Sequence, residues 1–211
     1  MTDSANTQDE RRMKRRGRLL ASALMAVVAL PMLIAYVFYH TGVGIPDEQV
    51  NEGFLLDPPQ ALAQWQPETL SGKNWAVDPK AAKHWRFIIP VDADCSGACG
   101  DNLYLTRQVH VRLAEKASRV ERIILLLDGE WSDEALEELT AKHPGTRLLR
   151  ADRERVVQSL NATNRAGDPL ASGRYFLMDQ EGYVMMAYSP EHTGNQLLKD
   201  IKRLLRYSYD D

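Results

Sequence analysis

Apolar residues form one long run near the start of the chain and several short blocks further on. Residues 19–39 comprise 21 positions without a charged side chain. At a rise of about 1.5 Å per residue, a helix of this length crosses the roughly 30 Å hydrocarbon core of a bilayer. The run is longer than the apolar part of a cleaved signal peptide. It therefore predicts a transmembrane signal anchor over residues 19–40.

Beyond residue 72, blocks with strand character alternate with blocks of helical spacing. The clearest strand patterns are at residues 85–90 and 120–127, and a hairpin is indicated by residues 174–179 and 183–188. Shorter strands are expected at 73–77 and 147–150. Helical spacing is found at residues 102–116, 133–142, 153–160 and 191–207. This alternation predicts an α/β domain over residues 73–211, with a central mixed sheet flanked by helices.

Residues 41–72, between the anchor and this domain, are rich in glycine and proline. They also contain large apolar residues such as Phe54, Leu62 and Trp65. A free linker would not carry so many large apolar groups. We therefore expect an extended arm that is partly docked on the domain.

The charges on either side of the apolar run predict its orientation. Residues 1–18 hold six cationic side chains and three acidic ones, whereas no cation follows the run before Lys73. By the positive-inside rule, residues 1–18 form a cytoplasmic basic tail and the residues after about 41 are exported. The chain is thus expected to be a single-pass membrane protein whose C-terminal domain lies in the periplasm if bacterial, or in the intermembrane space if mitochondrial.

The distribution of charge argues against nucleic acid as a partner. The net charge of the whole chain is −3, and the cationic excess is confined to residues 1–18, so the exported part has an acidic excess of about six charges. A nucleic-acid-binding domain presents a basic patch instead.

Cys95 and Cys99 are the two cysteines of the chain, and they stand between a strand pattern and a helix pattern. A helix N-terminus lowers the pKa of a thiol, and soft thiolates select Cu(I). The same pair could cycle between dithiol and disulfide. A static structural disulfide is a third interpretation, although a bridge that closes so short a loop constrains the unfolded chain little.

The order of elements, with the thiols after the first long strand, is that of thioredoxin-like domains. A single N-terminal anchor, an exported thioredoxin-like domain and a Cys-x3-Cys pair resemble the Sco-type (Sco/SenC-like) copper chaperones of cytochrome oxidase assembly. The stretch Phe176-Leu-Met-Asp-Gln-Glu-Gly182 is similar to a late strand and turn of that family. Residues 51–59 and 103–108 are similar to segments of small membrane proteins associated with haem–copper oxidases.

The resemblance implies that Cys95 and Cys99 bind or deliver copper as Cu(I). It also implies a copper-ligating histidine just before the strand at residues 174–179, but residues 168–173 contain none. In a thioredoxin-like sheet, the second strand of the hairpin ends at the thiol end. His192 follows that strand and should lie about 10 Å from the thiols, roughly two strand spacings away. We therefore take His192 as the candidate third metal ligand.

Three functions remain open from the sequence. The first is a membrane-anchored, thioredoxin-like assembly factor for a respiratory cytochrome c oxidase, which would bind or deliver copper. The second is a thiol–disulfide oxidoreductase with Cys95 and Cys99 as its catalytic redox pair, acting on metal-site cysteines of a client protein. The third is a non-catalytic membrane-bound interaction module with a static disulfide. The expected partners are the membrane bilayer and a respiratory oxidase subunit or another copper or thiol protein.

Overall fold

The computed structural model describes residues 3–41, 50–81, 83–95, 97–129 and 131–208. The chain divides into two compact units, Met1–Gln49 and Val50–Asp211. In the first unit, helix α1 spans Asp3–Thr41. Its segment Arg15–Thr41 is long and apolar enough to cross a membrane. The span predicted at residues 19–40 lies inside this segment.

The second unit contains seven strands and five α-helices within its described residues. The strands are β1 Phe54–Ala61, β2 Glu68–Thr69, β3 Trp85–Asp92, β4 Val120–Asp128, β5 Thr146–Arg150, β6 Tyr175–Met178 and β7 Tyr183–Tyr188. The helices are α2 Ala98–Arg112, α3 Asp133–Lys142, α4 Arg153–Asn161, α5 Pro169–Ser172 and α6 Gly194–Tyr207. Short 3-10 helices cover Leu62–Trp65 and Ala114–Arg119.

The strands form one mixed sheet in the order β1-β7-β6-β3-β4-β5-β2. Strands β3, β4 and β5 are parallel, whereas β6 is antiparallel to β3 and β7 is antiparallel to β6. Strand β7 therefore runs in the same direction as β3, and both end at the same edge of the sheet. The predicted mixed sheet flanked by helices is confirmed, as is the direction in which the hairpin returns.

Both faces of the sheet are buried, because alternate residues of the central strands point to opposite layers. In β3, Phe87 and Ile89 pack against the layer that includes α2 and α6. Ile88 packs on the opposite face, in the cluster that contains Val156 and Leu160 of α4. The continuous apolar runs at residues 87–91 and 123–127 are therefore what a central strand with two covered faces requires.

Three of the expected elements differ from the structure, and one of them is the last helix, since α6 begins at Gly194 instead of residue 191. Residues 73–77 form no strand; Asn74 makes only an isolated bridge with Glu68. Helix α2 begins at Ala98 instead of residue 102 and ends at Arg112. Its N-cap, Gly97, offers no side-chain hydrogen bond, so the cap signal that marks most helix starts is missing.

The arm expected at residues 41–72 contributes β1 and β2 to the sheet. Residues 50–69 belong to the same compact unit as the other strands, and residues 42–49 lie outside the described residues. Strand β1 pairs with β7, with Phe54 opposite Ala187. Since β1 is antiparallel to β7, the chain enters this unit at the edge where β3 ends.

Candidate functional site

Cys95 and Cys99 lie at the junction between β3 and α2 and form a disulfide. Their Cα atoms are 5.1 Å apart. Cys95 precedes α2, whereas Cys99 is the second residue of this helix. The helix therefore begins about one turn earlier than the sequence pattern indicated. Both side chains are half-buried and pack against the core on the α2 side of the sheet. Because the pair is only half-buried, a reagent can reach the sulfur atoms, while the start of α2 holds the backbone of Cys99 in place.

The turn before the helix is fixed by Asp92, the last residue of β3. The backbone amide of Cys95 donates to Asp92 Oδ1 at 2.8 Å and to the Asp92 carbonyl oxygen at 3.2 Å. Cys95 has a positive φ of 35°, a conformation that is uncommon for a non-glycine residue. The carboxylate thus places a negative charge beside the pair and holds Cys95 in this turn.

A cavity of about 300 Å³ opens beside Cys99. Asp92 and Asn102 are among its polar lining residues, and three prolines are among its apolar ones. The lining residues are Pro90, Asp92, Ala98, Cys99, Asn102, Pro169, Leu170, Ala171, Ser172, Gly173, Arg174 and Pro190. The groove is therefore built from the end of β3, the start of α2 and the segment that leads into β6.

That segment includes α5 and is fixed by an ion-pair network at the same edge of the sheet. Asp168 caps α5 through the amides of Leu170 and Ala171. Arg153 pairs with Asp168 and with Asp128 at the end of β4. Burial alone would raise the pKa of Asp168, but the hydrogen bonds from Arg153 and from the two amides outweigh it and lower the pKa. The same two carboxylates raise the pKa of Arg153.

Gly173 holds this segment directly against the cysteine-bearing helix. Its carbonyl oxygen accepts a hydrogen bond from Asn102 Nδ2 at 2.9 Å. A Cβ atom at Gly173 would lie 2.8 Å from Ala98 Cβ and 2.9 Å from Pro190 Cγ. Its φ of +60° is also a conformation that favours glycine. Position 173 thus permits a contact between the two walls of the groove that a side chain would block.

His192 lies in the loop before α6, where both ring nitrogens have partners. Nδ1 accepts a hydrogen bond from the backbone amide of Ser189 at 3.0 Å, so the proton is assigned to Nε2. Nε2 then donates to the carbonyl oxygen of Glu52 at 3.0 Å. The imidazole is 9% exposed and packs edge-on against Phe54 and Tyr188. In this arrangement it ties β1 to the β7–α6 loop.

The structure does not gather Cys95, Cys99 and His192 into one cluster. Within the part of the chain that the structure describes, no three His, Cys, Asp or Glu side chains form a group that could hold a metal ion. The role of His192 as a third ligand stays a prediction, and a metal bond from either ring nitrogen would replace the hydrogen bond that this nitrogen makes here. The two sulfurs are the soft donors at the site, and they become available when the disulfide is reduced.

Comparison with protein families adds to this geometry. Residues 85–208 match the family model described as "Transmembrane-like, thioredoxin-like, C-terminal domain". The chain belongs to this family. Together with the apolar helix α1, the match supports a thioredoxin-like domain anchored by a single membrane span. No curated protein sequence matches the chain.

Solved structures identify the fold as Sco-like. Copper-bound yeast Sco1 has a TM-score of 0.52 and 16% identity over 78% of this chain and 97% of its own. Copper-bound ScoI of Arabidopsis thaliana has a TM-score of 0.51 and 15% identity over 76% of this chain and all of its own, 100%. BsSco, described as a member of the Sco family of cytochrome c oxidase assembly proteins, has a TM-score of 0.50 at 16% identity, covering 76% of this chain and 100% of its own. These likenesses establish the fold that the sequence resemblance implied.

Sequence reasoning missed the residues that shape the groove around the thiols. Asp168 followed by Pro169 is a helix-start signal, an N-cap residue before proline at the first helical position, and it could have indicated α5. Asn102 and Arg153 carry no such signal, because their partners Gly173 and Asp128 are distant in sequence. These long-range contacts appear only when the sheet is assembled.

Proposed function

We propose that this chain is a membrane-anchored, thioredoxin-like assembly factor for a respiratory cytochrome c oxidase. In this proposal Cys95 and Cys99, once reduced, bind Cu(I) and deliver it to an oxidase subunit or to another copper protein. The observation that carries the proposal is the position of the pair. Both cysteines are half-buried at the end of the central strand β3, and Cys99 lines an open groove.

The donor set at this site suits copper as a cargo. Reduction of the disulfide takes up two electrons and two protons and yields two thiols, and Cu(I) binding then displaces those protons. Thiolates are soft ligands that select Cu(I). Two thiolates alone would hold the ion in a two-coordinate site, which favours its transfer to a site with more donors; His192 is the proposed third ligand. Sco proteins of known structure hold copper on this fold.

A thiol–disulfide oxidoreductase is the second candidate, and the closed disulfide favours it. In the reducing direction, a thiolate of the Cys95/Cys99 dithiol attacks a client disulfide, and the client's other sulfur leaves as thiolate. The second thiolate of the pair then resolves the mixed disulfide. The client ends as a dithiol and the pair as the disulfide seen here, so a separate reductant must restore the pair.

In either case we propose that the partners are the membrane bilayer and a respiratory oxidase subunit or another copper or thiol protein. We place residues 1–18 in the cytoplasm and the domain on the opposite side, in the periplasm if bacterial or in the intermembrane space if mitochondrial, because the cations precede the span. The acidic excess of the domain suits a basic client surface. The client's acceptor site would enter the groove beside Cys99.

A transfer experiment separates the candidates. The full chain in detergent, with its disulfide reduced, is either loaded with one Cu(I) or kept free of copper. Each form is then mixed with the copper-binding domain of an oxidase subunit. Copper on each protein and free thiols on the oxidase domain are measured after separation. A variant carrying Cys95→Ser and Cys99→Ser is the control.

Movement of copper to the oxidase domain from the wild-type chain, and not from the variant, is the expected result. If the copper-free chain reduces an oxidised oxidase domain and no copper moves from the loaded chain, the oxidoreductase is supported instead. If neither copper nor electrons move, both proposals are wrong and the disulfide is a structural bridge.

A further inference from the structure

A second cavity lies at the opposite end of the sheet from the cysteines. Its volume is about 510 Å³, within the range of about 300–1,000 Å³ that is usual for small-molecule sites. Arg86, near the start of β3, pairs in register with Glu121 near the start of β4. Both line this cavity, whereas Cys95 follows the other end of β3. The two cavities are therefore separate features of the fold.

The floor of this cavity is a row of three charged side chains. Glu121 accepts a hydrogen bond from Arg86 Nε at 2.9 Å and from Arg147 Nε at 2.6 Å, one on each carboxylate oxygen. The Arg86 side chain is 6% exposed and that of Glu121 is 18% exposed. One carboxylate thus holds two guanidinium groups by their Nε edges and fixes the orientation of both.

Trp75 covers the same two guanidinium groups. The central carbon of Arg86 lies 5.8 Å from the indole centroid, and that of Arg147 lies 5.7 Å from it. Both distances are in the range of a cation–π contact. Each guanidinium group thus has an indole face on one side, while Arg147 stays accessible from the solvent side.

The polar groups left over in this cavity are mainly donors. Arg86 Nη1 donates to the carbonyl oxygen of His84, but neither Arg86 Nη2 nor the two Nη atoms of Arg147 have a partner among the described residues. His110 also lines the cavity, but its Nε2 faces two carbonyl oxygens and donates to them, so it is not counted among these free donors. The other acidic lining residue, Asp78, lies at the exposed rim and accepts a hydrogen bond from the amide of Lys80.

We propose that this cavity binds a small ligand through a carboxylate or phosphate group. Guanidinium groups pair with such oxyanions in a planar, bidentate way, and Arg147 presents both of its Nη atoms for this. Arg86 Nη2 adds a second donor from a buried, fixed side chain. Trp75 supplies an apolar wall for the rest of the ligand. The site is independent of the copper or thiol chemistry proposed for Cys95 and Cys99.

Calorimetric titration of the full chain in a detergent with an uncharged headgroup tests this site. Citrate serves as the carboxylate probe and pyrophosphate as the phosphate probe. We expect saturable binding of at least one of them to the wild-type chain. Arg147→Gln should weaken that binding about tenfold or more, because it removes charge-assisted hydrogen bonds. Arg147 is 47% exposed, so the substitution leaves no buried gap.

Arg150→Gln is the matched control, since Arg150 is an exposed arginine on the same strand that lines a different cavity. It should change the affinity less than twofold. Arg147→Lys keeps the charge but loses the planar fork, and it should bind with intermediate affinity. It also serves as the test if Arg147→Gln does not fold. No saturable binding of either probe, or equal weakening by Arg147→Gln and Arg150→Gln, overturns the proposal.

A phosphate group could come from a lipid headgroup or from a free small molecule. Repeating the titration in nanodiscs with and without phosphatidic acid distinguishes the two sources. If a lipid headgroup occupies the cavity, phosphatidic acid should compete with pyrophosphate and weaken its binding to the wild-type chain. Arg147→Gln should abolish that competition. A free ligand would bind equally well in both kinds of nanodisc.

Discussion

The carboxylate of Asp200 on α6 accepts a hydrogen bond from the backbone amide of Gly53 at 2.8 Å, across 147 residues of sequence. Asp200 is 2% exposed. It also accepts hydrogen bonds from the amide of Glu52 and from the hydroxyl of Tyr188, each at 3.0 Å. The point at which the chain enters its second unit is thus bound by the last helix. Burial and the neighbouring Asp200 raise the pKa of Tyr188, so this hydroxyl remains a donor.

Asp200→Asn should lower the free energy of unfolding by about 2–3 kcal/mol, since hydrogen bonds to a buried charge are lost and an amide donor faces two N–H groups. Urea denaturation of the full chain in detergent, followed by tryptophan fluorescence, measures this. Glu191→Gln, at an exposed position of the preceding loop, is the control and should change stability by less than about 0.5 kcal/mol. Equal values for the two variants would contradict the role given to Asp200.

Gly173→Ala should destabilise the protein more than Gly145→Ala does. Both glycines have positive φ, +60° and +75°, but a Cβ atom meets nothing within 4 Å at Gly145. The control therefore carries only the backbone strain of about 1–2 kcal/mol. The clash with Ala98 should add roughly 1–3 kcal/mol at position 173 and disturb the groove beside Cys99. Indistinguishable denaturation midpoints would mean that the two walls of the groove are free to separate.

His143 at the end of α3 predicts a loss of stability in mild acid. Burial, then the charges of Arg122, Arg107 and Lys142, lower its pKa below the usual 6.5. The folded state therefore favours the neutral imidazole, while the unfolded state takes up a proton below about pH 6.5. Stability should fall as the pH drops from about 6.5 toward the folded pKa and then level off.

His143→Gln should reduce this pH dependence, because the group that titrates is removed. Unfolding free energies measured at several pH values between 5 and 7.5 provide the comparison. The exposed Lys142→Gln variant controls for the loss of a neighbouring cation. A pH profile unchanged by His143→Gln would show that another group is responsible.

The orientation of the anchor is tested by a reporter fused after Asp211. Because the cations precede the span, Asp211 should lie outside the cytoplasm. A reporter that works only outside the cytoplasm should therefore be active, and one that works only inside it should be inactive. Replacing the six cations of residues 1–18 by glutamine should weaken this preference. Activity of a cytoplasmic reporter on the wild-type chain would overturn the orientation and place Cys95 and Cys99 in the cytoplasm.

Much of the central sheet could be predicted because its pattern is local. The strand pattern at residues 120–127 is apolar on both faces from Ile123 onward, and it became β4, which lies between β3 and β5. The position of Cys95 followed from the end of the pattern in β3. The helix pattern at residues 133–142 is local as well, and it became α3, whose N-cap Ser132 accepts a hydrogen bond from the amide of Ala135.

The remaining features depend on contacts that a single sequence does not encode locally. Prolines obscure the strand pattern of β1 in the sequence. The segment is a strand because it pairs with β7. The start of α2 was missed because Gly97 gives no side-chain cap. His192 was predicted to be at the thiol end of the sheet, and it follows β7 there. Its hydrogen bond to Glu52 was not predicted, because nothing near His192 in sequence indicates that partner.

Titration of the reduced full chain with Cu(I), in detergent and against a competing chelator, tests the central proposal and includes a test of His192. If His192 completes the site, His192→Ala should weaken Cu(I) binding by more than twofold. Tyr188→Phe, which loses a neighbouring hydroxyl without removing a metal donor, controls for disturbance of the same region. An effect of His192→Ala no larger than that of the control would leave a site of two thiolates.

The comparison that decides most directly is between the wild-type chain and the variant with Cys95→Ser and Cys99→Ser in that titration. We predict that the wild-type chain takes one Cu(I) from the chelator and that the double variant takes none, since both soft donors are gone. Equal copper uptake by the two proteins, or no uptake by the reduced wild-type chain, would contradict the proposal that this pair holds copper.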